Sequence, residues 1–243
     1  MGKYVHKFYS WEDFYEAYDG SGYTEPWLSC VEGESPSTAF NKFDPYNGHE
    51  YVNLGLPSRT VWATMNIGAN SPEEAGYYYS WGETQTKSTY SWSTYKFGTA
   101  SPFTKYDTDG KTELEYEDDI AAISMGGFWH MPAVEQLEEL VEETNHEVTV
   151  LNGVSGITFS SKSNPSASIF VPYAGQRSGS RLYGFGTGFN LLSSSLVKTD
   201  SRLIYNLTSG LEINDTNGRC NGYTIRGVVG HPIMVVPNPP VVQ

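Results

Sequence analysis

Glu115, Glu117, Asp118 and Asp119 form the acidic run in this chain whose residue types could do chemistry, since paired carboxyl groups are what a glycosidase uses. Neighbouring positions do not face each other across a substrate, so the spacing favours a solvated or structural role. Asp107-Thr108-Asp109-Gly110 opens like a calcium loop. With Gly110 at the sharp turn, the bidentate acid should fall on Tyr116, so the segment reads as a turn. His6, His49, His130, His146 and His231 lack metal-ligand spacing, and Cys30 and Cys220 are too few for a zinc cluster. Ser193–Ser195 has no nucleophile elbow around it, and no glycine-rich phosphate loop precedes a helix. No set of nucleophile, base and oxyanion donors assembles from these residues. The expectation is a protein without catalytic residues, bound metal or cofactor.

Composition narrows the classes further. A chain of 243 residues with 38% hydrophobic and 18% charged residues can bury a substantial core and is not built for disorder. Its net charge of -13 sets up a field that repels nucleic acid and anionic membrane, so neither is an expected partner. No apolar run reaches membrane-spanning length, so no direct membrane insertion is expected. Two distant cysteines do not make a disulfide framework, and both are expected as free thiols. MGKYVHKFYSW lacks the basic-then-apolar plan of a secretion signal, so export would follow from a removed leader or from carriage on a phage particle.

The elements that must position any site come next, in chain order. Trp11, Phe14, Tyr15 and Tyr18 keep helical spacing behind Ser10, and a Ser/Pro-rich linker follows from Glu32 to Pro45. These mark an N-terminal segment, residues 1–47, that packs on or attaches a main domain over 48–230. VNLGLPSRTVWATMNIG reads as two short strands around a turn, and Ser71-Pro72-Glu73-Glu74 as a helix start. Tyr77 to Trp81 is an aromatic core cluster, and Thr84 to Thr104 a long polar loop. Met131-Pro132 opens a helix whose Val134, Leu137, Leu140 and Val141 form one stripe. Asn152-Gly153 is a hairpin signal, and residues 231–243 form a proline-rich tail. From Ile169 to Val229, short apolar anchors alternate with Gly, Ser, Asn, Asp and Thr, interspersed with Tyr and Arg. That pattern reads as turn-linked β strands carrying a recognition face.

Several blocks carry a family resemblance. VPYAGQRSGSRLYGFGTGFN–LLSSSL and NGYTIRGVV are similar to the closing half of a C-type-lectin-fold domain of the formylglycine-generating-enzyme type, which includes the variable proteins of diversity-generating retroelements from gut bacteria and their phages. EYVNLGLPSRTVWATMNIGANSPEEAGYYYSWGET, TKYDTDGKTELEYEDDIAA, GGFWHMP and LNGVSGITFSSKS resemble successive upstream blocks, extending the similarity from Gly48 to Val229. Three positions depart from the pattern: His130 stands where W-R-M-P has Arg, Leu192 replaces an aromatic, and Arg226-Gly227 replaces Arg-Pro. The fold's sulfatase-modifying enzymes rely on two cysteines near the carboxyl end, where only Cys220 lies, and the calcium-dependent sugar loop of animal lectins is absent. The resemblance thus implies an α+β fold of short antiparallel strands with two packed helices and long loops, without that catalysis.

It also implies where a ligand is held. Diversification in this family randomises adenines, often in AAC codons, which then cannot yield Lys, Glu, Gln, Met or Trp. Between Tyr173 and Val229 those types occur only as Gln176, Lys198 and Glu212, a scarcity that a turn-rich β sheet would also produce. The matching variable positions, hence the candidate ligand-binding residues, are Ser178, Arg181, Tyr183, Phe185, Asn190, Leu191, Arg202, Ile204, Asn206, Asn214, Asp215, Asn217, Arg219 and Asn221. The fixed frame is Gly175, Arg177, Gly179, Gly188, Ser193–Ser195, Gly222, Tyr223 and Arg226, with the two arginines expected in buried charge pairs. The function implied is receptor- or adhesin-type binding of a protein or glycan on a target cell, outside the cell, at a phage tail tip or a bacterial surface. A homotrimer is the assembly the resemblance allows. An undiversified adhesin module of the same fold, and a carbohydrate-binding or carbohydrate-active protein using the acidic loop, remain alternatives.

Overall fold

The computed structural model describes residues 46–99, 101–198, 200 and 203–230. The chain divides between Pro45 and Tyr46 into two units. The expected N-terminal helix and linker, the proline-rich tail and Arg202 lie outside the described residues.

The described residues of the second unit are α+β, made of small antiparallel sheets and two α-helices. β1 (Tyr51–Asn53) and β2 (Val61–Ala63) pair around the Pro57-Ser58 turn, and the last strand, β11 (Val228–Val229), closes against β2. β3 (Thr144–Leu151) and β4 (Val154–Ser161) form the expected hairpin, because Asn152 and Gly153 adopt φ of 49° and 86° and so supply the left-handed pair that a tight turn requires. β5 (Ser168–Pro172) adds to β4. β6 (Gln176–Ser178) and β7 (Arg181–Tyr183) make a separate two-stranded hairpin. β8 (Asn190–Leu196), β9 (Leu203–Thr208) and β10 (Ile213–Gly218) form the remaining sheet.

Helix α1 (Ile120–Met125) begins where Asp119 accepts hydrogen bonds from the Ala121 and Ala122 amides at 2.8 and 3.1 Å, so the end of the acidic run is a helix cap. Helix α2 (Val134–Glu142) follows the expected stripe, with Leu137 and Leu140 buried and Glu135, Glu138 and Glu142 exposed. The helix expected after Ser71 does not form. Its signals close one turn, in which Glu74 N–H donates to Ser71 O and Glu74 Oε2 accepts from Asn70 N. Gly76, at φ 72°, then reverses the chain so that Tyr77 N–H reaches Ile67 O. No helix among the described residues is long and apolar enough to cross a membrane.

Two hydrophobic cores flank the β8–β9 pair. Leu192, Leu196 and Ile204 enter one core with Trp81, Tyr106 and Trp129, whereas Leu191 and Leu207 enter the other with Trp62, Leu137, Ile157 and Phe159. The serines of the same strand bind across it. Ser193 Oγ donates to Tyr205 O at 2.7 Å, Ser194 Oγ to Glu113 Oε2 at 2.8 Å, and Ser195 Oγ accepts the Val134 N–H at 3.0 Å, capping α2 from another element. Ser195→Ala should therefore cost about 1 kcal/mol of unfolding free energy. Denaturant unfolding of the variant measures it, and an unchanged midpoint would mean the α2 amides find another acceptor.

Candidate functional site

The β6–β7 hairpin stands out from the body yet is tied to it by backbone bonds on several sides. Tyr90 and Gly179 exchange N–H···O bonds at 2.8 and 2.7 Å, and Arg177 and Gly222 do the same at 2.7 and 2.9 Å. Gly175 N–H donates to Gly188 O, and Gly186 N–H to Tyr173 O, both at 2.7 Å. Gly175 sits at φ 66°, and a Cβ there would lie 2.1 Å from Tyr183 O, so only glycine lets the hairpin close on its own base. Below it, Tyr90 Oη donates to Tyr78 O and Tyr78 Oη to Ala174 O, each at 2.6 Å. Burial raises the pKa of both phenols, which keeps them neutral donors. Arg177 has no buried acid as partner; its guanidinium lies 5.0 Å from the Tyr78 ring centroid.

What this frame presents is a short apolar and cationic tip. Register pairs Ser178 with Arg181, Arg177 with Leu182 and Gln176 with Tyr183, so Ser178, Arg181 and Tyr183 share one face. Arg181 is exposed, Tyr183 47% and Phe185 61% exposed, and Ser178 half-buried. Leu182, outside the expected set, is 37% exposed on the opposite face of the hairpin. The signal for it was its place between Gly179 and Gly184 in a hairpin too short to hide either face. From Val148 to Thr199 the chain has no Asp or Glu but carries Lys162, Arg177, Arg181 and Lys198, so the tip is locally basic on an acidic protein.

The other candidates divide. Asp215 is exposed and Asn214 half-buried at a bulge of β10, where Asn214 Oδ1 accepts from the Thr216 amide and hydroxyl at 2.9 and 3.0 Å. Asn190 and Asn217 are half-buried and belong to an amide ladder: Asn206 Nδ2 donates to Asn190 Oδ1 at 2.8 Å, and Asn217 Nδ2 to Asn206 Oδ1 at 3.0 Å. Asn221 is half-buried beside Gly222. Leu191, Ile204, Asn206 and Arg219 are fully buried and present nothing to a ligand, contrary to the sequence expectation. Leu191 and Ile204 fail because β8 and β9 carry core on both faces, so alternation along the strand exposes neither side. Asn206 is the middle rung of the amide ladder.

Arg219 is the largest of these corrections. Its guanidinium carbon lies 3.8 Å from the Phe103 ring centroid, 5.3 Å from that of Tyr95 and 5.9 Å from that of Trp81. Nη1 donates to Tyr106 O at 3.0 Å, while Nε and Nη2 have no hydrogen-bond partner. Burial lowers its pKa, and the negative charges of Asp107 and Asp109 partly oppose that shift. Arg226, also buried, meets no carboxylate: Nε and Nη2 donate to Asn66 Oδ1 at 3.0 Å, and Nη1 to Thr64 O at 3.3 Å. The expected buried charge pairs are therefore replaced by aromatic faces and neutral oxygens.

The residues that suggested catalysis are committed elsewhere. Glu115, Glu117 and Asp118 place carboxylate oxygens within 4.8 Å of one another, the one such grouping among the described residues that could hold a cation. Lys105 Nζ occupies that position, 2.5 Å from Glu115 and Asp118 and 2.9 Å from Glu117. Hydrogen bonds from Lys105 lower the pKa of Glu115 and Glu117; in Asp118, bonds from Lys105, Lys96 and Tyr106 overcome the opposing effect of burial. Asp107 and Asp109 accept backbone N–H groups of Phe103, Tyr106 and Lys111, which makes that segment a turn. Cys220 is a free buried thiol whose pKa burial pushes up to about 11, leaving it a weak nucleophile. No protein-family model, curated protein or solved structure matches this chain.

Truncation should separate core from display. Arg219→Ala should lose about 3 kcal/mol through the cavity it leaves, whereas Arg219→Met, which fills the aromatic cage without an unpartnered charge, should match or exceed the parent. Equilibrium unfolding of both variants checks this. A displayed side chain would leave both within about 0.5 kcal/mol of the parent.

Proposed function

We propose that this chain is a noncatalytic ligand-binding protein of C-type-lectin fold, of the formylglycine-generating-enzyme type, whose contact residues lie on the β6–β7 hairpin and at the β10 bulge. The observation that carries the reading is the pairing of a braced backbone with uncovered Tyr183 and Phe185 beside an exposed Arg181. Rigid aromatic side chains lose little conformational entropy on binding, and arginine adds a hydrogen-bonding fork; such residues dominate contact energy where proteins meet. The small antiparallel sheets and two helices suit that fold, and the blocks that carry the family resemblance fall on strands, helices and turns in order. The partner is a protein or glycan on a target cell, met outside the cell from a phage tail tip or bacterial surface. In this reading no cofactor takes part and no bond is made or broken.

Diversification is the finer part of the proposal, and it centres on Arg181, Tyr183, Phe185, Asn214 and Asp215. The burial of Leu191, Ile204, Asn206 and Arg219 favours a second reading, an adhesin module of the same fold whose face is fixed. The surrounding DNA separates the two. A neighbouring reverse transcriptase and a template differing only at adenines establish diversification, and their absence leaves the fixed module.

Binding itself is tested by probing the protein against a glycan array and a panel of bacterial surface proteins. Tyr183→Ala and Phe185→Ala should each weaken capture of any target found by about tenfold or more, with melting temperatures unchanged. Full capture by both variants would remove the hairpin from the contact face.

A further inference from the structure

β3 is an edge strand. Its sheet runs β3-β4-β5, and among the described residues nothing pairs with the outer side of β3. Its register with β4 is unbroken from Thr144 opposite Ser161 to Leu151 opposite Val154, and it contains neither Pro nor Gly. Ser155 O accepts the Tyr173 N–H at 2.9 Å, so Ser155 turns its backbone toward the β5 side of the sheet. Its register partner Val150 therefore turns N–H and C=O away from β4, and alternation does the same for Val148 and His146. A continuous row of outward backbone groups is a template on which another strand adds. The side chains beside that row are apolar, where an edge is ordinarily blunted by charge. Val148 and Val150 are each 67% exposed, yet Val148 stands opposite Ile157, which is buried in the core with Leu137, Phe159 and Val171. The two valines carry the apolar face of that core one strand past the elements that cover it. Glu147, the strand's single carboxylate, projects from the other face with Thr149, whose hydroxyl lies 2.6 Å from that of Thr158.

We infer that a second copy of this chain adds at that edge, β3 against β3 and antiparallel about a two-fold axis, joining two three-stranded sheets into one. A strand running antiparallel to its own copy makes an isologous contact, so each surface is its own complement. Charge and side-chain pattern select the register. Because the outward backbone groups belong to His146, Val148 and Val150, these residues must stand opposite one another across the axis. With the axis at Glu147, two carboxylates face each other directly, which destabilises the pair. With the axis at Val148, the glutamates remain diagonal neighbours and His146 faces Val150. With the axis at Thr149, Val148 of each copy meets Val150 of the other, and all four valines form one cluster. Each Glu147 then stands opposite Leu151, clear of the other carboxylate. A copy of the same strand meets the valine stripe with valines and brings no charge to it, and that complementarity names the occupant. Such a contact closes on a dimer, not on the trimer that the family resemblance allows.

Sedimentation and cross-linking of the full chain test the pairing. At about 100 μM the parent should sediment at twice the chain mass. Val148→Lys should raise the dissociation constant at least about tenfold while leaving the circular dichroism spectrum unchanged, since the residue it replaces is exposed. Thr149→Cys should form an intermolecular disulfide under mild oxidation, because facing residues of a non-hydrogen-bonded antiparallel pair stand about 4.5 Å apart at Cα, within bridging range. Glu147→Cys, which faces Leu151 in this register, should not, and neither should the parent. A monomer at that concentration, a trimer, or a dimer that bridges through Glu147→Cys and not through Thr149→Cys would overturn the inference. Slow hydrogen exchange at the Val148 and Val150 amides of a monomer would also overturn it, assigning the edge to another segment of the same chain. Should Val148→Lys lose its fold, the two cysteine variants decide alone.

Discussion

The architecture depends on a sheet that has no outside. β8 and β9 are sandwiched between two cores, so their side chains enter hydrophobic surroundings in both directions, Leu192 and Ile204 on one side and Leu191 and Leu207 on the other. Every polar group carried into such a sheet must find a partner there, since an unmade hydrogen bond away from water costs about 1–3 kcal/mol. Ser193, Ser194 and Ser195 meet that demand by binding a backbone oxygen, the Glu113 carboxylate and the first amide of α2. The helix, the sheet and the loop bearing Glu113 are thereby locked to one strand. The β6–β7 hairpin has the opposite character: its backbone is tied to the body by several hydrogen bonds while its side chains from Arg181 to Phe185 are exposed.

Charge is handled by two different means. The acidic loop gathers Lys105 among three carboxylates, from exposed Glu117 to buried Asp118, and keeps their protons off. Inside, two guanidiniums are held without any acid, Arg219 on the faces of Phe103, Tyr95 and Trp81, and Arg226 on an amide and a carbonyl oxygen. Arginine tolerates this because its charge is spread over a weakly hydrated plane that stacks on rings.

Much of this was legible in the sequence where the signal was local. Asn152-Gly153 fixed its hairpin, the Leu137/Leu140 stripe its helix, and the Asp107–Gly110 turn was separable from a calcium loop by counting to Tyr116. That the helix signals after Ser71 would close only one turn was not legible, because they carry no information about the reversal at Gly76. Nor was Asp119 as the cap of α1, since six residues are too few for a periodic stripe to show. In the candidate face, Arg181, Tyr183 and Phe185 sit where glycine spacing places a hairpin tip. Leu191, Ile204 and Arg219 could not be sorted by residue type, because whether a strand is covered on one face or two is decided by elements distant in sequence.

The central claim is that, among the described candidate contact residues, those at the hairpin tip and the β10 bulge are free to vary, while Leu191, Ile204, Asn206 and Arg219 hold the two cores together. Saturation mutagenesis of residues 173–229, read out by protease resistance of the displayed protein, tests it directly. The account predicts broad tolerance at Arg181, Tyr183, Phe185 and Asp215, and rejection of most substitutions at Leu191, Ile204, Asn206 and, apart from apolar replacements of similar volume, Arg219. Uniform tolerance across both groups, or intolerance concentrated at the hairpin tip, would contradict it.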